Sequence, residues 1–264
     1  MSDTTGAVRM TVDYISEPAP GPRINEDLVV ASNQFVLVLD GASHAAGVDT
    51  GCIHDVPWLV AQLGSQVADA LLNDHAISLP DALAGAIDGV RARHADTCDL
   101  ENPDSPSATV ALLRLRARVV DYLVLADSPV ILRHTNGDIE PIRDERIDHL
   151  PDYSLDTVRK SRNAPGGFWV ASTSTEAAHQ AVTGSTPVDS LASAALLSDG
   201  VTRLVERHGW TWAALLDALA ADLGPQTVIN AVRAADSERD RLATDRGKIH
   251  DDATAALCRF TTAT

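Results

Sequence analysis

Two apolar runs, Phe35–Leu39 (FVLVL) and Ala194–Leu197 (AALL), each end in an Asp-Gly step: Asp40-Gly41 and, one serine later, Asp199-Gly200. Such runs read as strands, and an acid at a strand's end projects from a rigid edge into a loop. The pattern recurs at Asp127 after VDYLVLA, at Asn25-Glu26-Asp27 before LVVA, and at Asp251-Asp252 before ATAAL. Taken singly, each acid reads as a turn residue or helix cap. Taken together, clustered carboxylates repel strongly unless cations neutralise them, so their convergence would imply a divalent-metal site with oxygen ligands.

The segments between these acids set the architecture. Val8–Ile15 alternates as a strand, and Leu28–Ala31 with Phe35–Leu39 form a hairpin broken at Ser32-Asn33. From Ile53 to Asn73 apolar residues recur at three-and-four spacing, a long amphipathic helix with Pro57 in its first turns, and a second helix fits Leu79–Ala95. Ala108–Leu115, Val119–Ala126 and Val130–His134 read as an antiparallel meander, followed by a hairpin turn at Thr135-Asn136-Gly137-Asp138. Residues 140–167 are charged and irregular and are expected to form a mobile surface flap. Beyond them the pattern predicts a short strand Phe168–Ala171, a helix Thr175–Val182, the strand Ala194–Leu197, helices over 201–207, 211–222 and 225–243, and a last strand Ala253–Phe260. Strands grouped at the start, middle and end, with helix pairs between them, indicate an α+β layered fold, and residues 1–264 are expected to form one domain.

Composition excludes several classes of function. With 21 Lys+Arg against 37 Asp+Glu the net charge is −16, and Lys160 and Lys248 are the only lysines. Nucleic acid and anionic membrane require a basic face, so neither is an expected partner. Cys52, Cys98 and Cys258 are far apart in sequence, without a CxxC pair or a Cys/His cluster at zinc spacing, so neither a disulfide scaffold nor a structural zinc site is expected. The first residues carry no apolar run of signal-peptide length, and a cytoplasmic monomer is expected. There is no G-x-G-x-x-G, P-loop or G-x-S-x-G pattern, which disfavours nucleotide binding through those loops and serine-hydrolase chemistry.

The ordered series RINED, DG after an apolar strand, SATVALL, VLADS, LLSDG and DDATAALCRF resembles the metal-dependent protein phosphatases of the protein phosphatase 2C type, over residues 8 to 260. The resemblance implies an α/β/β/α sandwich, two antiparallel sheets packed together and flanked by antiparallel helix pairs. It also implies a two-metal Mn²⁺ or Mg²⁺ site bridged by Asp40, with the Gly41 carbonyl on the first ion and Asp199 and Asp251 on the second. Glu26 and Asp27 would hold waters around the ions; Asp127 would hold a third, weaker cation or simply close the turn before Pro129. The implied activity is hydrolysis of phosphoserine or phosphothreonine in a protein. Independently of any family, paired cations acidify a bridging water and neutralise charge developing on phosphoryl oxygens.

Two further residues carry possible chemistry. Arg23 offers a fork that chelates two phosphate oxygens, or a loop arginine that pairs with a neighbouring acid. His44 could protonate a leaving alkoxide, or be a loop histidine with no catalytic role. The loop after Asp40, ASHAAG, lacks the family's glycines, which motivates a different class of reading: a regulatory or binding module without turnover. A phosphatase of a small phosphorylated metabolite is a third, since nothing in the sequence reads the leaving group.

Overall fold

The computed structural model describes residues 6–42, 47–242 and 249–262. The ten strands among these residues are β1 (Val8–Glu17), β2 (Leu28–Ala31), β3 (Phe35–Gly41), β4 (Ala108–Arg116), β5 (Val119–Leu125), β6 (Val130–His134), β7 (Ile139–Ile142), β8 (Val182–Pro187), β9 (Leu191–Leu197) and β10 (Ala253–Thr262). They form two five-stranded antiparallel sheets, ordered β1-β10-β9-β6-β7 and β2-β3-β4-β5-β8. The helices are α1 (Val56–Asn73), α2 (Leu79–His94), α3 (Leu155–Ser161), α4 (Glu176–His179), α5 (Asp199–Glu206), α6 (Trp212–Ala220) and α7 (Gly224–Leu242).

The unbroken apolar character of the central strands follows from burial on both faces. Along β3, Val36 and Val38 point into the core between the sheets, where they meet Ala111, Leu113, Val130, Leu196 and Ala256. Phe35, Leu37 and Leu39 point the other way, into a core closed by Leu59, Leu63 and Val67 of α1 and Leu83 and Ile87 of α2. The second sheet does the same: Ile131, Ala195, Leu197 and Leu257 face Leu204, Leu216, Val228 and Val232 of α5–α7. The α/β/β/α sandwich is therefore observed as expected.

The helix starts follow local chemistry. Asp55 caps α1 by accepting the Trp58 N–H at 2.9 Å with Pro57 in the first turn, and Ser78 caps α2 by accepting the Asp81 N–H at 3.1 Å. Each side chain satisfies one of the amides a helix start leaves unpaired.

Three local expectations need correction. The meander is broken: β4 and β5 pair, but β6 crosses to the other sheet and pairs with β7 and β9. The crossing occurs at Ala126, whose φ of 63° turns the chain sharply out of the first sheet, and whose N–H is held by Asp144 Oδ2 at 3.0 Å. Phe168–Ala171 is not a strand but touches β4 through the single Ala108–Ala171 bridge, directly after the chain-breaking Pro165-Gly166-Gly167. The helix expected over Thr175–Val182 is only the four-residue α4, because Val182 opens β8, an edge strand on β5 whose polar VTGSTP sequence hides its pairing.

Residues 140–167 hold a 3-10 turn (Ile147–His149) and α3. Ile147, Leu150 and Val158 pack on Ala126, Phe168 and Val170, so this segment forms a wall over the strand ends.

Candidate active site

The strand ends converge on a cleft of about 370 Å³. Asp40 and Gly41 line it from the end of β3, Thr109 from β4, Asp127 from the sheet crossing, Asp199 from the start of α5 and Asp251 from the residues before β10. Ile147, Leu155, Val158, Arg162, Phe168 and Val170 supply the opposite wall.

Tight backbone packing holds the acids. Asp40 pairs with Thr109 in the β3–β4 register, and Asp40 Oδ2 accepts the Asp199 N–H at 3.1 Å. A Cβ on Gly41 would lie 2.5 Å from the Glu26 carbonyl oxygen and 2.3 Å from Val56 Cγ1; one on Gly200 would lie 1.9 Å from the Asp252 carbonyl oxygen. Only glycine allows both approaches, which explains the Asp-Gly spelling of the two strand ends.

Asp251 and its neighbour divide the work. Asp251 faces the cleft; its Oδ2 accepts Arg203 Nη2 at 2.6 Å, and Arg203 is itself buried beside Asp236. Asp252 points away, accepting the N–H of Ala19 and the N–H of Glu26, both at 2.7 Å, and so ties the Pro-rich loop to the sheet. The Gly41 N–H donates to the Glu26 carbonyl at 3.2 Å, and Asn25 Oδ1 accepts the Asp27 N–H at 3.0 Å. Glu26 and Asp27 are thereby placed behind Gly41.

The electrostatics are those of crowded acids. Asp40 is held well above the ordinary carboxylate range, first by burial and then by the charges of Asp27, Asp199 and Asp127, with the Asp199 amide opposing. Burial likewise pushes Asp27 up to about 7, the neighbouring hydroxyls of Thr254 and Ser198 offsetting part of the effect and Asp252 and Asp199 adding to it. Asp127 also rises to about 7 through burial and the charge of Asp199. Asp27 Oδ2 is buried with no hydrogen-bond partner among the described residues. A set of all-oxygen donors, mutually repelling and with one orphaned buried oxygen, fits hard divalent cations.

Among the other expected residues, Arg23 is exposed and does not line the cleft, and His44 lies outside the described residues. Arg162, which the sequence reading did not single out, is in the cleft wall. Its Nη1 donates to the Pro103 carbonyl at 2.9 Å and its Nη2 to the Ser105 carbonyl at 2.6 Å and to Ser172 Oγ at 3.1 Å, and burial lowers its pKa to about 10. No motif marks Arg162; Arg203 could have been found from its place four residues after Asp199, on the same helix face. No helix among the described residues is long and apolar enough to cross a membrane.

No curated protein matches the chain in sequence. Among solved structures, PppA, a key regulatory component of T6SS in Pseudomonas aeruginosa, superposes with a TM-score of 0.60 at 17% identity, over 97% of this chain and 100% of that one. The serine/threonine phosphatase Stp1 from Staphylococcus aureus gives a TM-score of 0.64 at 12% identity, over 95% and 94%. The catalytic domain of the serine threonine protein phosphatase PstP, in complex with two manganese ions, gives 0.58 at 15%, over 96% and 99%. At these identities the likeness is one of fold. The sequence profile of the family described as Protein phosphatase 2C matches residues 26–235, and the chain belongs to that family.

Proposed function

We propose that the protein is a metal-dependent phosphomonoester hydrolase acting on phosphoserine or phosphothreonine in proteins. The observation that carries this reading is the burial of Asp40 among Asp27, Asp127 and Asp199, which leaves three of these carboxyls titrating far above their ordinary range. Such a cluster destabilises a fold that has no cation to put there. Membership of the protein phosphatase 2C family, and the two manganese ions in the PstP structure, support Mn²⁺ or Mg²⁺ as those cations.

In this reading Asp40, the Gly41 carbonyl, Asp199 and Asp251 would hold two cations, with Asp127 available to a third. Cations held there would supply a nucleophilic water and neutralise charge on the phosphoryl oxygens. The chain's own residues do the rest. Arg203 fixes the Asp251 carboxylate, and Asp252 holds Glu26 and Asp27 in place by anchoring their loop. The apolar wall of Ile147, Leu155, Val158, Phe168 and Val170 narrows solvent access on one side. Arg23, exposed on the loop before Asn25, would meet the phosphate of an arriving substrate, and His44 would protonate the leaving hydroxyl.

Hydrolysis of p-nitrophenyl phosphate and of a phosphothreonine peptide with Mn²⁺, and with chelator, tests the reading. Turnover only with metal is expected; a folded protein that binds Mn²⁺ and turns over neither compound would reject it.

A further inference from the structure

At the mouth of α2, away from the acids, a second cluster of ligand atoms meets. Cys52, His94 and Cys98 each bring one sulfur or nitrogen to within 4.8 Å of the others, the only group of this kind among the described residues. Cys52 Sγ lies 3.5 Å from His94 Nδ1. With Zn–S near 2.3 Å and Zn–N near 2.0–2.1 Å, the sulfur–nitrogen edge of a zinc tetrahedron is about 3.6 Å. The Cys52–His94 pair already stands at coordination spacing, with Cys98 close by.

The backbone holds them there. His94 ends α2, and its carbonyl accepts the N–H of Thr97 at 3.1 Å and of Cys98 at 3.0 Å, a turn that folds Cys98 back beside the imidazole. On the facing loop the Gly51 carbonyl accepts the Asp99 N–H at 2.8 Å, and Asn102 Nδ2 donates to the Asp49 carbonyl at 3.2 Å. Gly51 itself has φ +64°, and a Cβ there would lie 2.8 Å from Asn102 Nδ2. The two loops are pinned side by side, which makes neighbours of Cys52 and Cys98.

The chemistry of the donors is soft, unlike that of the cleft. His94 is buried, and burial, with the charges of His54 and Arg91, lowers its pKa. The His54 ring stacks on Trp58 at 3.9 Å and lies 6.0 Å from the His94 ring, at the edge of the cluster. Both cysteines are free of disulfides. Thiolate and imidazole suit Zn²⁺ rather than the hard cations expected among carboxylates.

We propose that Cys52, His94 and Cys98 form a zinc site, distinct from the acidic cleft, with His54 or a water as fourth ligand. Binding displaces the protons of the two thiols, forming two Zn–S bonds and one Zn–N bond without any redox change. The loops it joins reach the cleft: Val48 belongs to one, and Pro103, Asp104 and Ser107 to the other. The ion would therefore clamp one rim of the active site.

The full-length chain, reduced, loaded with Zn²⁺ or Co²⁺ and dialysed against a weak chelator, tests this. About one tightly held zinc per chain is expected, and Co²⁺ should give thiolate charge-transfer absorption with the strong visible bands of a tetrahedral site. Cys98→Ser and His94→Gln should each weaken zinc binding by at least about tenfold. Asp40→Asn should keep its zinc while losing phosphatase activity, so failure of the zinc site and failure of the phosphatase reading are separable. Wild-type protein that retains no zinc and gives no cobalt–thiolate band overturns the proposal. So does zinc content unchanged in both cysteine and histidine variants, or a Cys52–Cys98 disulfide in protein handled without oxidant.

Discussion

The Asp199 N–H donates to Oδ2 of Asp40 at 3.1 Å, across 159 residues and between the two sheets. Asp40 is the next-to-last residue of β3 and Asp199 opens α5 just past β9, so this single contact locks the two Asp-Gly strand ends together. The glycine after each acid lets the neighbouring backbone approach closely enough to do so.

Asp40→Asn should lower kcat by roughly 10³-fold, since a charge shared by both cations is lost. The metal-free variant should be at least as stable as the wild type, because repulsion from Asp27, Asp127 and Asp199 falls. Steady-state kinetics with Mn²⁺ and a melting curve in chelator check both halves; near-normal turnover would remove Asp40 from the metal site.

In chelator, stability should fall as pH rises from about 4 to about 7. Asp27 and Asp127 titrate near 7 in the folded state but near 3.8 when unfolded, so over that window the folded state binds more protons than the unfolded chain. Their contribution is complete below the unfolded value and lost through the folded one, up to about 4 kcal/mol each. Asp40, also raised by burial and the neighbouring carboxylates, adds to the decline. Added Mn²⁺ should take the protons' place and flatten the slope. Calorimetry at pH 5 and 7.5 measures it, and a Tm that rises with pH in chelator would contradict the crowding.

Gly200→Ala should destabilise by about 1–3 kcal/mol or more, because its Cβ would meet the Asp252 carbonyl oxygen at 1.9 Å. Relieving that overlap requires α5 and the start of β10 to part, which moves Asp199 from Asp40. Urea denaturation and Mn²⁺ affinity should therefore fall together; a variant with wild-type values of both would show that the approach is not needed.

Asp252→Ala removes the acceptor for two amides, those of Ala19 and Glu26. Each buried N–H left unpaired costs about 1–3 kcal/mol. Hydrogen exchange should speed up over residues 18–27 first, with weakened Mn²⁺ binding as Glu26 and Asp27 shift. Unchanged protection in that loop would argue against its anchoring role.

Arg23→Ala should raise KM for every phosphomonoester by about tenfold with little change in Mn²⁺ affinity, since a guanidinium contributes a charge-assisted fork to phosphate but no lone pair to a metal. Arg162→Ala should instead act on stability, because its donors are committed to the Pro103 and Ser105 carbonyls and to Ser172. Comparing KM and Tm for the two variants separates the roles; a KM effect confined to Arg162→Ala would move the phosphate contact into the cleft wall.

What the amino-acid order alone determined was the local grammar: apolar runs that end in Asp-Gly, helices with Pro and Asp or Ser at their starts, and the in-order acids from Asp27 to Asp251. Periodicity and turn chemistry act over a few residues, so they are legible there. The sheet crossing at Ala126 was not, because an alanine with φ 63° has no signature and β6 has the same alternation in either sheet. The edge strand β8 was hidden for the opposite reason: its polar residues pair through backbone atoms, which carry no sequence. Tertiary packing also decided which of two adjacent aspartates faces the cleft, since Asp251 meets Arg203 while Asp252 turns to the loop amides. It brought Cys52 to His94 and Cys98 across more than 40 residues, a juxtaposition that depends on where α1 and α2 pack on the sheet and not on any spacing along the chain.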